Sequence, residues 1–311
     1  MQSLSEILSI HPSMNDLYLA VAKSWPEHDS YLTKSLTGHS VEEMRRLERL
    51  SSQIRALAGA RLAPFIESYR WLCGVFNEEQ IHFIRNGRYR RTSFAEAEAE
   101  VYSNKSFMQK YMEGLLISQL FWSNHAKSYL FHDSFLSGLQ PGSRYLEIGP
   151  GHGLYLATAA LHDACTEVEA WDVSEESLAQ TEASTRILNV IKPVRLVRRN
   201  VLDAGLRNAA LPAFDVIVIS EVLEHLEKPQ TALTNLRSFL NPGGQVLVNF
   251  PINSPAPDHI YLLNSMEAVQ DLVSAAGFTI ESSQGFPATG YTLERAMDTK
   301  ASVSCAVIGR A

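Results

Sequence analysis

The spacing of apolar residues divides the chain into two parts. Over roughly residues 3–136 apolar side chains recur at every third or fourth position, which predicts one helix after another. One predicted helix covers residues 40–60, where Ser40 is a capping residue and acidic side chains follow in the first turn. A longer helix is predicted to begin near Ser93 and to run past Tyr129, with Gly114 as a candidate interruption. We therefore expect an all-α N-terminal domain.

The second part has the rhythm of an α/β fold. Turn residues cluster at 139–143, and beyond them short β-rich runs alternate with helices that are predicted to follow Gly153, Ser174, Pro229 and Ser265. Runs such as 216–219 are apolar on both faces, which is typical of a parallel sheet covered by helices on each side. The pattern predicts a doubly wound, mostly parallel sheet, with domains at 1–138 and 139–311. Its seven predicted strands cover residues 144–148, 167–172, 194–198, 214–220, 245–250, 278–283 and 303–308.

Composition narrows the class of protein. The chain has 311 residues, 45% of them hydrophobic and 20% charged, as expected of a globular protein with room for two domains. The net charge of −7 argues against a broad nucleic-acid-binding face and leaves small molecules or proteins as partners. Three widely spaced cysteines without a CxxC pair predict neither a disulfide framework nor a structural zinc site. Without a charged-then-apolar leader or a long apolar run, we expect a cytoplasmic enzyme with no membrane span.

The first strand of the predicted sheet ends in a glycine loop. In open α/β sheets ligands bind beyond the carboxyl ends of the strands, so residues at those ends are informative. Glu147 ends the first strand, and glycines follow at positions 149, 151 and 153, where they allow a cofactor to approach the backbone. The dinucleotide-binding pattern would require a further glycine at position 154, which is Leu154. The spacing therefore disfavours a dinucleotide fingerprint.

Acidic residues stand after the next three strands as well. Asp172 ends the second, where it can accept hydrogen bonds from ribose hydroxyls or cap the next helix. The run Asn200-Val201-Leu202-Asp203 follows the third strand, and Glu221 opens a polar patch after the fourth. Taken together and in this order, these motifs resemble the class I S-adenosylmethionine-dependent methyltransferases. The resemblance covers about residues 140–311.

The resemblance implies a cofactor and a set of contacts. S-adenosylmethionine would be held at its methionine end by Glu147 and the loop with Gly149, Gly151 and Gly153, with Glu221 bordering the methionine moiety. Asp172 would bind the ribose, and Asp203 with the backbone at Val201 and Leu202 would bind the adenine. The family also implies an antiparallel last strand, here 303–308, and substrate contacts from the segment 251–261.

Candidate catalytic and substrate-binding residues come from both predicted domains. His259 follows the fifth strand as a candidate general base, with a turn-stabilising role as the alternative, and Glu221 is the second catalytic candidate. The aromatic side chains that recur at helical spacing between residues 107 and 129 belong either to the helix core or to the wall of a lid. His125 and His132 share a spacing of seven but have no third ligand, so no metal site is expected. The substrate or lid candidates are Tyr111, Trp122, His125 and His152.

Residues 85–91 form a basic run in an acidic protein. The simplest interpretation of Arg85, Arg88, Arg90 and Arg91 is a solvated loop, and the alternative is docking of an anionic substrate or a carrier protein. This run is also the one feature that keeps nucleic acid from being excluded.

Three functions are compatible with these features. The first is a methyltransferase that modifies a small molecule, in specialised metabolism, with residues 1–138 as a helical cap that selects the acceptor. The second is a lyase-type cyclisation of S-adenosylmethionine to azetidine-2-carboxylate and methylthioadenosine, with the cofactor as sole substrate. The third is a non-catalytic cofactor-binding protein. The cap can equally form the face of a homodimer.

Overall fold

The N-terminal half is helical, as predicted. The computed structural model describes residues 4–203, 205–206 and 213–311. None of the helices within these ranges is both long and apolar enough to cross a bilayer. The helices of this half are α1 Leu4–Ile10, α2 Pro12–Ser24, α3 Asp29–Leu36, α4 Val41–Ala58, α5 Leu62–Asn86, α6 Phe94–Ala97, α7 Lys105–Phe121 and α8 Ser123–Ser137.

Helix α4 begins as its sequence predicts. The Ser40 hydroxyl accepts a hydrogen bond from the Glu43 backbone N–H at 3.2 Å, and the Glu43 carboxylate accepts one from the Ser40 N–H at 2.7 Å. This capping box satisfies two backbone donors that a helix start leaves free. The apolar face of α4 then packs into the core of the helical half through Leu47, Leu50 and Ile54, all fully buried.

The long helix predicted from Ser93 is interrupted, but not at Gly114. A π-helical turn, Glu98–Tyr102, precedes α7, and the main break falls at Trp122, which is extended between α7 and α8. Gly114 lies inside α7, where an added Cβ would stand 2.8 Å from the Ser68 carbonyl oxygen of α5. Its lack of a side chain lets α5 and α7 pack closely, so the prediction of an interruption at Gly114 was wrong.

The C-terminal half contains one seven-stranded sheet. Its order is β3-β2-β1-β4-β5-β7-β6, and only β7 runs antiparallel to its neighbours. This confirms the doubly wound, mostly parallel sheet and its antiparallel last strand. The strands are β1 Ser143–Ile148, β2 Cys165–Asp172, β3 Val194–Arg198, β4 Phe214–Ser220, β5 Leu240–Ile252, β6 Thr279–Pro287 and β7 Val303–Arg310. The helices are α9 Leu154–Leu161, α10 Glu175–Ile187, α11 Pro229–Arg237, α12 Met266–Ala275 and α13 Leu293–Asp298.

Helix α8 joins the two halves. The Asn124 side chain donates to the Ser304 hydroxyl of β7 at 3.2 Å, and the His132 imidazole lies 3.0 Å from the Tyr145 hydroxyl of β1. Helix α7, directly before it, contacts the loop after β1, where the side chain of Met112 lies next to Gly151. The helical half therefore contacts both β7 and the loop that follows β1.

Candidate functional site

The loop between β1 and α9 requires its glycines. Gly149, Gly151 and Gly153 have φ values of 66°, 54° and 75°, in the left-handed region that side chains disfavour. An added Cβ at Gly149 would lie 2.5 Å from Val222 Cγ2, and one at Gly153 would lie 2.9 Å from the Thr181 Cα. The loop thus packs closely against the segment that follows β4 on one side and against α10 on the other.

Glu147 lies beneath this loop and is buried. Its Oε2 accepts a hydrogen bond of 2.9 Å from the Tyr145 hydroxyl, which in turn contacts His132. Burial raises the pKa of Glu147 to about 8, although the Tyr145 hydroxyl favours the ionised form. At neutral pH this carboxyl group therefore holds a proton and is uncharged.

The position of Asp172 is compatible with both roles considered for it, capping of the next helix and binding of a ribose. One carboxylate oxygen accepts from the Ser174 backbone N–H at 2.8 Å and the other from the Ser177 hydroxyl at 2.6 Å. These bonds stabilise the start of α10, as the capping alternative requires. A carboxylate offers about four lone-pair positions, so acceptor sites remain for a ribose, whose binding stays a prediction.

The residues expected at the adenine lie next to the end of β3. Val201 is buried, and its carbonyl accepts from the Asn235 side chain at 2.7 Å. The Leu202 backbone N–H donates a hydrogen bond of 2.9 Å to the Asn200 side chain, and Asp203 is exposed. The structure therefore places this run at the strand end, as predicted.

Glu221 stands in a strained position after β4. Its φ is 54°, unusual for a residue with a side chain, and its N–H donates to the Asn249 carbonyl of β5 at 3.0 Å. The Asn249 side chain donates back to Oε1 of Glu221 at 2.9 Å. Burial raises the pKa of Glu221 to about 8, against the effect of this hydrogen bond. Strain of this kind is often found at functional sites.

His259 points toward a second carboxylate rather than into open space. Its Nδ1–H donates to the Ser254 carbonyl at 2.7 Å, and its Nε2 lies 3.7 Å from Oε1 of Glu224. Burial lowers the pKa of His259 to about 4, so the imidazole is neutral. Burial, and then the neighbouring Glu221, raises the pKa of Glu224. The loop position of His259 was visible in the sequence, whereas its pairing with Glu224 was not.

Asp258 connects the helical half to this cluster. Tyr111 of α7 donates to its Oδ1 at 2.8 Å, and Tyr102 of the π-helical turn donates to its Oδ2 at 3.2 Å. Burial opposes ionisation of Asp258, but His225, His259 and the Tyr111 hydroxyl together lower its pKa. Tyr111 therefore contacts this cluster, and its role in a lid stays a prediction. Sequence analysis missed Tyr102 and Asp258, because their contact joins distant parts of the chain.

The other lid candidates lie in two places: Trp122 and His125 in the helical half, and His152 in the glycine loop. Trp122 packs edge-on against Phe76, with ring centres 4.9 Å apart. His125 contacts the Ser118 hydroxyl at 2.9 Å, and burial lowers its pKa to about 3. His152, inside the glycine loop, accepts from the Leu154 N–H at 3.2 Å, and burial lowers its pKa to about 4. Both imidazoles are thus neutral and partly buried.

The basic run 85–91 is only partly a solvated loop. Arg90 pairs with Glu79 at 2.9 Å, and Arg91 pairs with Glu100 at 2.8 Å while also donating to the Pro257 carbonyl. The Tyr89 hydroxyl accepts from the Ser254 N–H at 3.2 Å. The interpretation as a merely solvated loop was therefore wrong for Arg91, which together with Tyr89 binds the segment after β5, whereas Arg90 is exposed. Arg85 and Arg88 are exposed, as that interpretation expects.

Comparison with known proteins agrees with this geometry. Residues 146–246 match the family described as a methyltransferase domain. An uncharacterized methyltransferase of Mycobacterium tuberculosis is 32% identical over 121 residues, which are 38% of this chain and 57% of that protein. A ubiquinone biosynthesis O-methyltransferase of Coxiella burnetii is 28% identical over 134 residues, 42% of this chain and 53% of the relative. The chain thus spans just over half the length of these relatives.

Solved structures of similar shape include two methyltransferases. One is a SAM-dependent methyltransferase from Aquifex aeolicus, with a TM-score of 0.44, 19% identity, and coverage of 57% of this chain and 88% of that chain. The other is an S-adenosylmethionine-dependent methyltransferase from Mesorhizobium loti, with a TM-score of 0.45, 18% identity, and coverage of 58% and 95%. The strand order is that of a doubly wound, Rossmann-like sheet, and residues 146–246 of this half are similar in sequence to a methyltransferase domain.

Proposed function

We propose that the protein is an S-adenosylmethionine-dependent methyltransferase that acts on a small molecule, in specialised metabolism. The observation that carries the proposal is the glycine loop with left-handed φ values at positions 149, 151 and 153. It lies between the strand-end carboxyl groups of Glu147 and Asp172, within the segment that matches a methyltransferase domain. Glycines in such a loop let a ligand approach the backbone, and the helix that follows adds free N–H groups.

The remaining groups suit a cationic cofactor. In this proposal Glu147, the glycine loop and Glu221 hold the methionine end, Asp172 holds the ribose, and the run 200–203 holds the adenine. Methyl transfer requires the acceptor atom about 3 to 3.5 Å from the methyl group and the exclusion of water. Tyr102 and Tyr111, which bond to Asp258, supply a covering wall for that purpose.

His259 and Glu221 are the proposed catalytic groups. The Nδ1–H of His259 is committed to the Ser254 carbonyl, so its Nε2 carries the free lone pair. That lone pair lies beside Glu224, within the acidic cluster that borders the proposed methionine site. His259 thus acts at the acceptor side of the reaction, while Glu221 borders the cofactor.

Product analysis with an acceptor panel tests the proposal. The full chain is incubated with S-adenosylmethionine and with phenols, catechols, amines or carboxylic acids in turn, and S-adenosylhomocysteine is quantified. We expect S-adenosylhomocysteine only when a suitable acceptor is present. Tight cofactor binding with no S-adenosylhomocysteine for any class of acceptor would contradict methyl transfer.

A second candidate is cyclisation of the cofactor itself. It is favoured by the enclosure of the site by tyrosines and by the orientation of His259, whose lone pair faces Glu224 and not an open acceptor pocket. The amino nitrogen of the methionine moiety would attack its γ-carbon and lose a proton. The carbon–sulfur bond would break with its electron pair going to sulfur, giving azetidine-2-carboxylate and methylthioadenosine.

Incubation with S-adenosylmethionine alone separates the candidates. Methylthioadenosine and azetidine-2-carboxylate in equal amounts, above a protein-free control, would support cyclisation. A cofactor that is bound and recovered unchanged in this assay contradicts cyclisation. The same recovery with every acceptor would leave the non-catalytic binding protein as the function.

A further inference from the structure

Three side chains near the proposed acceptor side converge on one point. Glu224 and His225 lie in the short 3-10 helix Leu223–His225 after β4, and His259 lies in the segment after β5. One ligand atom of each residue lies within 4.8 Å of the other two. The Glu224 carbonyl accepts hydrogen bonds of 2.9 Å from the backbone N–H groups of both Ile260 and Tyr261. The backbone thus fixes the two segments against each other.

The Glu224 carboxyl group is buried and has no hydrogen-bond partner among the described residues. Its side chain is fully buried, at 0% exposure. Neither oxygen accepts a hydrogen bond from the parts of the chain that the structure describes. A buried carboxyl group without a hydrogen-bond partner is unfavourable in either protonation state, so such a group calls for a partner.

Backbone contacts determine the orientation of both imidazoles. Nδ1 of His225 lies 3.1 Å from the Asp258 carbonyl oxygen, and Nδ1 of His259 lies 2.7 Å from the Ser254 carbonyl oxygen. A carbonyl oxygen only accepts hydrogen bonds, so each Nδ1 carries the proton. In the neutral rings both Nε2 atoms therefore present lone pairs. Metal-binding histidines are commonly oriented in this way by a backbone carbonyl.

The distances distinguish shared metal coordination from hydrogen bonding. Oε1 of Glu224 lies 3.5 Å from Nε2 of His225 and 3.7 Å from Nε2 of His259. Hydrogen bonds between such atoms would measure about 2.7 to 3.2 Å. Two ligands of one tetrahedral ion, with bonds of about 2.0 to 2.1 Å, stand about 3.3 Å apart. One proton on Glu224 would also satisfy only one of the two imidazoles.

We propose that Glu224, His225 and His259 form a binding site for one divalent transition-metal ion of the zinc class. A site made of two imidazoles and one carboxylate binds ions of this class in preference to magnesium or calcium. The His225 side chain is 20% exposed and provides the route of entry.

Three protein ligands leave a coordination position open, as in catalytic zinc sites. This part of the inference rests on the proposed function: the open position takes an oxygen of the methyl acceptor. The ion would favour hydroxyl-bearing acceptors, because it would lower the pKa of a hydroxyl group held at that position.

Metal binding is measured without cofactor or acceptor, on the full chain free of any polyhistidine tag. Zn²⁺ is titrated in competition with a chromophoric chelator, and metal content after gel filtration is determined by mass spectrometry. Co²⁺ replaces Zn²⁺ for visible spectroscopy, which reports a low-coordinate nitrogen and oxygen site. We expect one ion per chain and a loss of affinity of about 100-fold or more in Glu224→Gln and His259→Ala.

The control is His162→Ala, which removes a histidine that follows α9, outside the cluster. It should bind Zn²⁺ as the wild type does. Circular dichroism of each variant, together with the Co²⁺ spectrum of the conservative variant Glu224→Asp, separates loss of a ligand from loss of the fold. Zn²⁺ binding that is absent in the wild type, or equal in all variants, would overturn the metal site. Calorimetry with S-adenosylmethionine is run in parallel, so that failure of the metal site and failure of the proposed function are distinguishable.

Discussion

Asp172 shows how one side chain can serve both the fold and a ligand. It accepts hydrogen bonds from Ser174 and Ser177 at the start of α10, and it stands at the strand end where a ribose is proposed to bind. A substitution at this position would affect both roles, so its effect on binding has to be separated from its effect on stability.

Asp172→Ala should weaken S-adenosylmethionine binding by more than about tenfold, because charge-assisted hydrogen bonds to the ribose hydroxyls are lost. Isothermal calorimetry measures the affinity. Ser177→Ala is the matched control, since it removes a neighbour of the carboxylate and keeps the carboxylate itself. Equal affinity in Asp172→Ala and the wild type would refute the ribose role.

Glu147 links protonation to stability. Its pKa is about 8 in the folded protein, above the ordinary value of 4.5, so the folded chain retains a proton that the unfolded chain releases. This contribution is complete below about pH 4.5 and is lost as the pH rises through about 8. Glu147→Gln, which cannot ionise, should therefore gain stability relative to the wild type between about pH 5 and pH 9.

Thermal unfolding of both proteins across this range measures the effect. The other buried carboxyl groups titrate in both proteins, so the difference between the two melting temperatures isolates Glu147. A difference that stays constant with pH would show that Glu147 ionises normally in the fold.

Sequence reasoning could single out candidate residues at the ends of single strands, such as Glu147, Asp172 and Glu221. It found them because each lies within a local motif at a strand end. It missed the contact between Glu224 and His259, since those residues meet only when β4 and β5 lie side by side. It likewise missed Tyr102, whose partner Asp258 belongs to the other half of the molecule.

At the scale of elements, the sheet was predictable and one helix was not. A buried strand such as β4 Phe214–Ser220 is marked by an apolar run, and both β4 and the edge strand β3 Val194–Arg198 have the predicted bounds. The break at Trp122 has no comparable local signal. It follows from tertiary packing, since α8 turns onto β6 and β7, where its Phe131 contacts Phe286.

Substitutions at two glycines of the helical half should change the stability of the protein in opposite directions. Gly114→Ala should destabilise the protein by about 1–3 kcal/mol, because the new Cβ would stand 2.8 Å from the Ser68 carbonyl oxygen. Gly74→Ala, in α5, meets nothing within 4 Å and should stabilise by about 0.5–1 kcal/mol. Urea unfolding gives both values. A neutral Gly114→Ala would show that α5 and α7 can separate without cost.

At the scale of the molecule, the two halves depend on each other. Leu154, the first residue of α9 in the C-terminal half, is buried in the core cluster of the helical half. Arg91 donates to the Pro257 carbonyl, and Tyr111 donates to Asp258, so the contacts between the halves continue through the site. A cap that shares a core with the sheet should not unfold independently of it.

We therefore expect a single thermal transition for the full chain, with the calorimetric and van't Hoff enthalpies in agreement. S-adenosylmethionine should raise its midpoint without splitting it, since a ligand that binds only the folded state stabilises the whole cooperative unit. Differential scanning calorimetry tests this. Two resolved transitions would instead identify the helical half as a separate folding unit.

The protonated carboxyl groups beside the glycine loop have a further consequence for ligand recognition. Near neutral pH much of the population carries protons on Glu147 and Glu221, whose pKa values are both about 8. A ligand with a positive sulfonium favours the ionised carboxylates, so its arrival should expel protons. Binding heats at pH 7 should then vary with the ionisation enthalpy of the buffer, and affinity should rise toward pH 8. A neutral thioether product would not maintain that displacement, so protons would return as it leaves.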